Sequence, residues 1–531
     1  MMNIQKAHMK KIFICFFFLI HHLSFASYFL IEHNIDKIHI TATFDQNEVQ
    51  NNEGNISLYV PDVIWGTSYN KQITNIRSNG TYDPQTKSIG LNPGTDLRIE
   101  YDILCVDNEE LINRFSDHYD HFISGERFYL MGIGLFITPP LYNDNITIQV
   151  KSNIPNVAFS THPYFYQSNT MTTKLSELDR LIIVASNDMK YYYKDGVDIV
   201  MWTPDQALQD MFDSVAAPIF AKHEEFWQAS STNEPAHKLS IIIKAPISNI
   251  IRRFGGTVIG RTILFFIVPD NTSKDDLDHL VRHENTHFRI GKLLTGTEWF
   301  VEGFTEYYAD KINLHFDQNW MKFTDLYNAK AADYFTSLAH YLDDKTADDY
   351  FFKISQIEHL PYTKGYVIAG QIDSIIDLDG VMRNLIQLCK QDKTYCKFTP
   401  ETFFYAAGNV LTDEQQQKIT SLITDVNNTT FTNYLLGKST KLNYKQQKIP
   451  YFTADIQKVF KESIIWGKEI NVGGGTRYNE AVYYKVLDSN FDFETGEGQV
   501  SVQNGNSQEV VKLPATTLQV NVPYYGMSLP Q

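Results

Sequence analysis

The 531-residue chain is short of cysteine, of positive charge and of long apolar runs. It has only four cysteines, and none has the spacing of metal ligands, which excludes a cysteine-rich scaffold. Lys and Arg number 46 against 62 Asp and Glu, and the net charge of −16 disfavours nucleic acid and anionic membranes as partners. Beyond residue 26 no stretch approaches the length of a membrane span, so we expect no stable membrane insertion of the mature chain.

Residues 1–26 have the pattern of a secretory signal peptide. Lys10 and Lys11 form a basic region, an apolar run follows from Ile12 to Leu23, and Ser24-Phe25-Ala26 offers a small-x-small cleavage site. The apolar run is too short to span a bilayer comfortably. We therefore expect a periplasmic or secreted protein, with an uncleaved anchor as the alternative.

Export also determines what the cysteines can do. Cys15 leaves with the signal segment. Cys389 and Cys396 are separated by a polar turn, and in an oxidising compartment they are expected to form a local disulfide. Cys105 lies in an apolar strand pattern and is expected to be a buried free thiol.

Composition and periodicity predict a multidomain α+β chain. Hydrophobic residues make up 43% of the sequence, which is enough for packed cores, and the length favours about three domains. Segments that alternate with period two predict an antiparallel β domain over residues 27–169. A mixed pattern over 170–440 becomes largely helical after Glu298, and alternating runs predict a small β domain over 441–531.

The clearest chemical motif is the pentapeptide His283-Glu284-Asn285-Thr286-His287. On a helix beginning near Lys274, its two histidines project from one face, one turn apart, so both imidazoles can bind one metal ion. Zinc commonly takes two imidazoles and one carboxylate and leaves a fourth position for water. Glu284 can take a proton from that water and pass it to a leaving amine. The motif therefore predicts one Zn²⁺ per chain at a hydrolytic site.

The third zinc ligand is expected at Glu302, fifteen residues after the second histidine. Apolar residues recur around it at helical spacing, which predicts a second amphipathic helix, and Gly291 and Gly296 bracket the turn that folds this helix back. Glu306 is expected to accept the other ring N–H of a ligand histidine; it is also the competing choice of third ligand. His279 lies on the histidine face and is expected to be a capping or packing residue.

Two blocks of the chain resemble the glycyl aminopeptidase family of gluzincin zinc metallopeptidases. One block is Trp299-Phe300-Val301-Glu302-Gly303-Phe304-Thr305-Glu306-Tyr307-Tyr308. The other, Pro361-Tyr362-Thr363-Lys364-Gly365-Tyr366-Val367-Ile368, is similar to that family's Tyr-Thr-Lys-Gly segment, which opens a helix. The resemblance implies a thermolysin-like catalytic domain. It also implies that Tyr362 donates a hydrogen bond to the oxyanion of the tetrahedral intermediate.

The resemblance is incomplete on the substrate side. The family shows a Gly-Gly-Leu-Glu-His-like segment whose acidic residue anchors the free amine of a substrate. Gly255 and Gly256 begin a predicted strand that is expected to present its backbone to an extended peptide substrate, with a purely structural sheet edge as the alternative. By the resemblance, Val258 stands where the family's acidic residue would fall. A peptide or protein substrate is therefore implied, while exopeptidase and endopeptidase activity both stay open. The family often ends in a PDZ-like domain, of which the C-terminal β domain would be a divergent form.

A rival hypothesis is a catalytically inactive peptidase fold that serves as a binding or scaffold protein of the cell envelope. The intact Glu284 argues against it, because an inactive site has no reason to keep its base. The residues do not determine the oligomeric state or the side-chain preference.

Overall fold

The structure is a computed structural model in which the chain divides into two compact units, the first ending at Tyr191 and the second continuing from Tyr192. It describes residues 27–50, 54–64, 67–104, 121–142, 145–162, 165–166, 169–194, 197–202, 205–227, 239–244, 255–260, 262–267, 272–336, 344–345, 359–408, 411–424, 444–452, 470–472, 482–492, 497–504 and 510–523. The expected signal segment 1–26 and Cys105 lie outside these ranges. Within them, no helix has the length and apolar character needed to cross a membrane.

Within the described ranges, the first unit consists of β strands, one short α-helix, α1 (Tyr69–Gln72), and two 3-10 helices, Gly132–Gly134 and Leu175–Arg180. Its strands are β1 (Ser27–His33), β2 (Lys37–Phe44), β3 (Asn55–Ser57), β4 (Val63–Ile64), β5 (Thr67–Ser68), β6 (Ile73–Ser78), β7 (Thr81–Asp83), β8 (Ser88–Gly90), β9 (Leu97–Leu104), β10 (Phe122–Ser124), β11 (Arg127–Met131), β12 (Asn145–Ser152), β13 (Ala158–His162), β14 (Phe165–Tyr166), β15 (Thr170–Lys174) and β16 (Ile182–Ser186). One sheet has the order β15-β12-β1-β2-β9-β6 and another the order β10-β11-β16-β13-β14; β3-β8-β7 and β4-β5 form smaller sheets.

The alternating residues of β1 and β2 form part of this unit's core. Phe29, Ile31, Ile38 and Ile40 are fully buried, while their neighbours along each strand are partly exposed, as expected for strands with one face on the core. The sequence predicted an antiparallel domain, and this prediction is wrong for one pair of neighbouring strands: β1 runs parallel to β12. The two strands are far apart in sequence, which provides the long crossover that parallel pairing requires.

The first unit extends beyond the expected boundary at residue 169. Strand β15 pairs with β12, and β16 lies between β11 and β13. Both later strands therefore complete sheets of this unit, although their position in the sequence suggested the following domain.

The second unit begins with a mixed sheet of order β17-β18-β19-β21-β20. Its strands are β17 (Lys190–Lys194), β18 (Val197–Met201), β19 (Leu239–Lys244), β20 (Gly255–Ile259) and β21 (Thr262–Phe266). The pairs β18–β19 and β19–β21 are parallel, and β20 is an edge strand that runs antiparallel to β21.

Helices make up most of the second unit after this sheet. They are α2 (Gln206–Phe226), α3 (Lys274–Thr286), α4 (Phe304–Asp317), α5 (Trp320–Thr336), α6 (Leu360–Asp373), α7 (Leu378–Gln391), α8 (Pro400–Ala407) and α9 (Asp413–Thr424). Strands β22 (Tyr444–Phe452), β23 (Ile470–Val472), β24 (Val482–Asp492), β25 (Glu497–Asn504) and β26 (Val510–Pro523) form an antiparallel sheet of order β22-β26-β25-β24-β23. The whole chain is thus an α+β protein with a β-rich N-terminal part.

Helix α3, which carries the histidine motif, starts at Lys274 as the sequence predicts. The Ser273 hydroxyl accepts a hydrogen bond from the Asp276 N–H at 3.1 Å, and the Asp276 carboxylate accepts one from the Ser273 N–H at 3.0 Å. This reciprocal capping box satisfies two amide groups that the helix itself cannot pair. Leu277 and Val281 are fully buried in a core shared with β21 and α2, and they fix the rotation of α3 so that its histidines face the segment from Glu302 to Asp310.

A direct backbone contact joins the two motif blocks. Residues Trp299–Gly303 form a π-helical turn that leads into α4; the sequence predicted ordinary helix here. A Cβ atom on Gly303 would lie 2.3 Å from the Cα of Gly365, and one on Gly365 would lie 1.8 Å from the carbonyl oxygen of Trp299. Only glycine at both positions lets α6 cross the turn this closely, and the crossing brings Tyr362 towards His283 on α3.

The expected disulfide between Cys389 and Cys396 is confirmed. The two sulfurs are bonded, and the loop they close joins the end of α7 to a short 3-10 helix, Lys393–Cys396.

We expect Gly365→Ala to destabilise the second unit. Overpacking against backbone typically costs about 3 kcal/mol, which exceeds the gain of about 1 kcal/mol from alanine's helix propensity, so the free energy of unfolding should fall by about 2 kcal/mol. Urea unfolding followed by circular dichroism measures this change. The control is Gly90→Ala, whose added Cβ meets no atom closer than 3.9 Å; equal losses in both variants would contradict the close-contact account.

Candidate metal centre

His283, His287 and Glu302 bring three donor atoms together. The Nε2 atoms of the two histidines lie 3.0 Å apart, and each is 3.4 Å from the same oxygen, Oε2 of Glu302. These residues form the one group of three candidate metal ligands found among the described residues. The side chains are largely enclosed, with exposures of 8%, 11% and 15%.

The donor set fits a zinc ion. In a tetrahedral site with zinc–ligand bonds of about 2.0–2.1 Å, donor atoms lie about 3.3 Å apart, close to the separations seen between these three atoms. Glu302 Oε2 is also buried and makes no hydrogen bond of normal geometry within the described part of the chain. A buried carboxylate oxygen without a partner is costly unless a cation satisfies it.

The second histidine is oriented by contacts to its other ring nitrogen. His287 Nδ1 lies 3.1 Å from the carbonyl oxygen of Ile290, so Nδ1 carries the proton and donates it. Nε2 is left with its lone pair facing Glu302, which is the tautomer that a metal ligand needs. The hydroxyl of Thr305 lies 3.3 Å from the same Nδ1. The sequence did not point to Thr305, whose only signal is its place one turn after Glu302.

Glu284 lies beside the donors and against strand β20. Its side chain is buried, and burial raises the pKa of its carboxyl although His283 and His287 act in the opposite direction. A Cβ on Gly256 would lie 2.7 Å from Glu284 Cγ, so a side chain at this position of the edge strand would displace the Glu284 carboxylate. Gly255 is the preceding residue of the same edge strand. A raised pKa suits a group that must first accept and then release a proton.

Glu306 faces the back of the first histidine. Its Oε2 lies 3.7 Å from His283 Nδ1, on the opposite side of the ring from the donor nitrogen. The carboxylate therefore cannot join the three donors without displacing the ring, which favours Glu302 over Glu306 as the third ligand. Burial alone would raise the pKa of Glu306, but the charges of His279 and Lys330 outweigh it and hold that pKa well below its usual range.

The expectation that His279 is a capping or packing residue is wrong. Its Nε2 lies 2.9 Å from Glu306 Oε2, and its Nδ1 lies 3.7 Å from Asp310 Oδ1. Burial lowers the pKa of His279, but the two carboxylates outweigh burial and raise that pKa to about 9. The sequence placed His279 on the histidine face and Glu306 opposite the histidines, but no local pattern indicated Asp310.

Tyr362 packs against the first histidine. The two rings are stacked, with centroids 5.8 Å apart and an angle of 26° between their planes. The segment around it is held by Asp344, which forms an ion pair with Lys364 and accepts a hydrogen bond of 2.8 Å from the Trp299 indole. Asp344 thus ties both motif blocks together, and no sequence signal pointed to it.

Val258 provides no polar group at the site. It is 4% exposed and belongs to the hydrophobic core formed with α2 and α3.

Comparisons with known proteins match this chain to solved structures. No family model and no curated protein matches it. An aminopeptidase N family protein from Idiomarina loihiensis has a TM-score of 0.61 at 12% identity, over 94% of this chain and 97% of its own. Yeast LTA4 hydrolase has a TM-score of 0.46 at 13% identity, over 74% of this chain and 66% of its own. An M1 zinc metallopeptidase from Deinococcus radiodurans has a TM-score of 0.44 at 10% sequence identity, over 78% of this chain and 94% of its own. The first of these matches shows a shared fold.

We expect Glu302→Ala and Glu306→Ala to differ in metal content. The first removes an oxygen that lies 3.4 Å from both donor nitrogens, whereas the second removes a group that faces only the back of one ring. Zinc per chain, measured by mass spectrometry after dialysis, should fall close to zero for Glu302→Ala and stay near one for Glu306→Ala. The reverse result would make Glu306 the ligand.

Proposed function

We propose that this protein is an exported zinc-dependent peptidase that hydrolyses peptide bonds with a metal-activated water. His283, His287 and Glu302 hold the ion, Glu284 is the general base and then the general acid, and Tyr362 stabilises the oxyanion. The signal-like segment 1–26 supports a periplasmic or secreted location. The substrate is a peptide or protein.

The observation that carries this proposal is the convergence of two imidazole nitrogens and one carboxylate oxygen within 3.4 Å of one another, beside a buried Glu284. Two histidines with one carboxylate are a common ligand set of hydrolytic zinc sites. The fold shared with an aminopeptidase N family protein supports the same reading, although a fold by itself does not determine an activity.

A bound zinc ion supplies a Lewis acid that acidifies water and polarises a carbonyl group. The chain's own contribution begins with Glu284, whose carboxylate accepts the proton of the attacking water. The same carboxyl then delivers that proton to the nitrogen of the leaving amine. Because its side chain is only 4% exposed, little bulk water competes for the proton between the two transfers.

Tyr362 and edge strand β20 act on the substrate. The Tyr362 ring is stacked on His283, and its phenol group is the candidate donor to the oxyanion. Gly255 and Gly256 lie on β20, where the missing Cβ at Gly256 leaves backbone next to Glu284. Val258 supplies no carboxylate for the free amine of a substrate, which favours a peptidase that does not depend on that contact.

The rival hypothesis of an inactive binding or scaffold protein is not favoured. An inactive site would not need the buried carboxyl of Glu284 with its raised pKa next to a complete donor set, because burying an ionisable group without a use costs stability.

We expect Glu284→Gln to keep zinc and to lose hydrolysis by roughly 10²–10⁴-fold, because glutamine preserves the shape of the side chain but cannot carry the proton. The measurement is cleavage of a mixed peptide library, read by mass spectrometry, together with zinc content. Wild-type cleavage should stop with a chelator and return with zinc. The cleavage positions also report whether products arise from the N-terminus or from internal bonds.

Two outcomes would remove the proposal. One is wild-type cleavage that survives the chelator; the other is full activity in Glu284→Gln. A zinc-loaded wild-type protein that cleaves nothing in the library would instead favour the binding-protein hypothesis.

A further inference from the structure

The zinc helix and the helix after it face each other through alternating histidines and carboxylates. We call this set the histidine–carboxylate ladder; its members are His279, His283, His287, Glu302, Glu306 and Asp310. On each side the residues are four apart in sequence, so they follow one helix face. The two segments are antiparallel, so the last histidine pairs with the first carboxylate and the first histidine with the last. His287 thus lies beside Glu302 at one end, and His279 lies beside Asp310 at the other.

The half of the ladder beyond the zinc ligands contains its own cations. Lys330, on α5, has its Nζ 3.3 Å from Glu306 Oε1. Arg282 donates to Asp310 Oδ1 at 3.1 Å, and Tyr366 donates to Asp310 Oδ2 at 3.0 Å. These side chains therefore fill the space beside Glu306 and Asp310 and neutralise the negative charge that would attract a second metal ion there.

We propose that His279 and Lys330 are positioning residues that act on the zinc site through Glu306. This inference rests on the proposed zinc site. His279 contacts one oxygen of the Glu306 carboxylate and Lys330 contacts the other. Together they fix the rotation of the carboxylate, so that Oε2 stays turned towards His283 Nδ1.

The need for two partners follows from burial. The Glu306 side chain is only 8% exposed, and a buried carboxylate that loses one of its partners is driven to rotate towards water or another donor. Once rotated, it would no longer hold the ring of His283. Outer partners of this kind orient a ligand histidine and raise its basicity, and losing a direct one typically weakens metal binding 10–100-fold.

The effect of His279 itself should be smaller, because it acts one step further out and its side chain is 36% exposed. We expect His279→Gln and Lys330→Gln each to weaken zinc binding by roughly 3- to 10-fold, below the range for a direct outer partner. Lys330→Arg keeps a cation at the position and should stay within about 2-fold of wild type.

The deciding experiment is a double-mutant cycle with zinc affinity as the readout. The dissociation constant of the full chain is measured by competition with a chelator for wild type, His279→Gln, Glu306→Gln and the double variant. If His279 acts through Glu306, its substitution should cost less than about 2-fold once Glu306 is glutamine. An equal loss in both backgrounds would show an independent role and overturn the proposal.

A control on the same helix separates positioning from general stability. Lys311 lies on α4, as Glu306 does, but it forms ion pairs with Asp373, at 2.7 Å, and Asp379, which are not members of the ladder. Lys311→Gln should therefore lower the unfolding temperature and leave zinc affinity unchanged. If Lys311→Gln lost as much zinc affinity as His279→Gln, the loss in His279→Gln would be explained by lower stability of the fold and not by positioning of Glu306. Wild type that binds no zinc would refute the proposed function, whereas unchanged affinity in His279→Gln and Lys330→Gln would refute this inference alone.

Discussion

The candidate metal centre and the ion network behind it depend on the pairing of three histidines with three carboxylates across two consecutive helical segments. The contacts join residues on different segments, and the members on each segment are one helical turn apart, so a small rotation of either segment would disturb all of these contacts together. At one end, the Nε2 atoms of two histidines and Oε2 of Glu302 lie within 3.4 Å of one another. At the other end, Lys330 and Arg282 neutralise the carboxylates. The same geometry therefore produces a group of three candidate metal ligands at one end and an internally balanced ion network at the other.

Packing elsewhere in the second unit holds the two segments in this register. The Ser273–Asp276 capping box fixes where α3 begins, and the edge strand approaches Glu284 at Gly256. The contact between Gly303 and Gly365 brings a third helix against the π-helical turn that carries Glu302. The candidate site and the close packing thus use the same short blocks, which explains why glycines stand directly beside the candidate site residues.

The local parts of this arrangement were predictable from the sequence, and the long-range parts were not. Spacing alone indicated which histidines share a face, and cap chemistry located the start of α3 at Lys274. The π-helical turn was missed because its apolar residues recur much as they do in an α-helix. Lys330 and Asp344 were missed because they reach the site from distant parts of the chain. The parallel pair β1–β12 was missed because alternation identifies a strand but not its direction.

Zinc K-edge X-ray absorption of the purified full chain tests the central claim most directly. The account predicts one zinc per chain, with imidazole scattering from two histidines and a first shell of nitrogen and oxygen at about 2.0–2.2 Å. A first shell without imidazole nitrogen, or a protein that takes up no stoichiometric zinc, would contradict it.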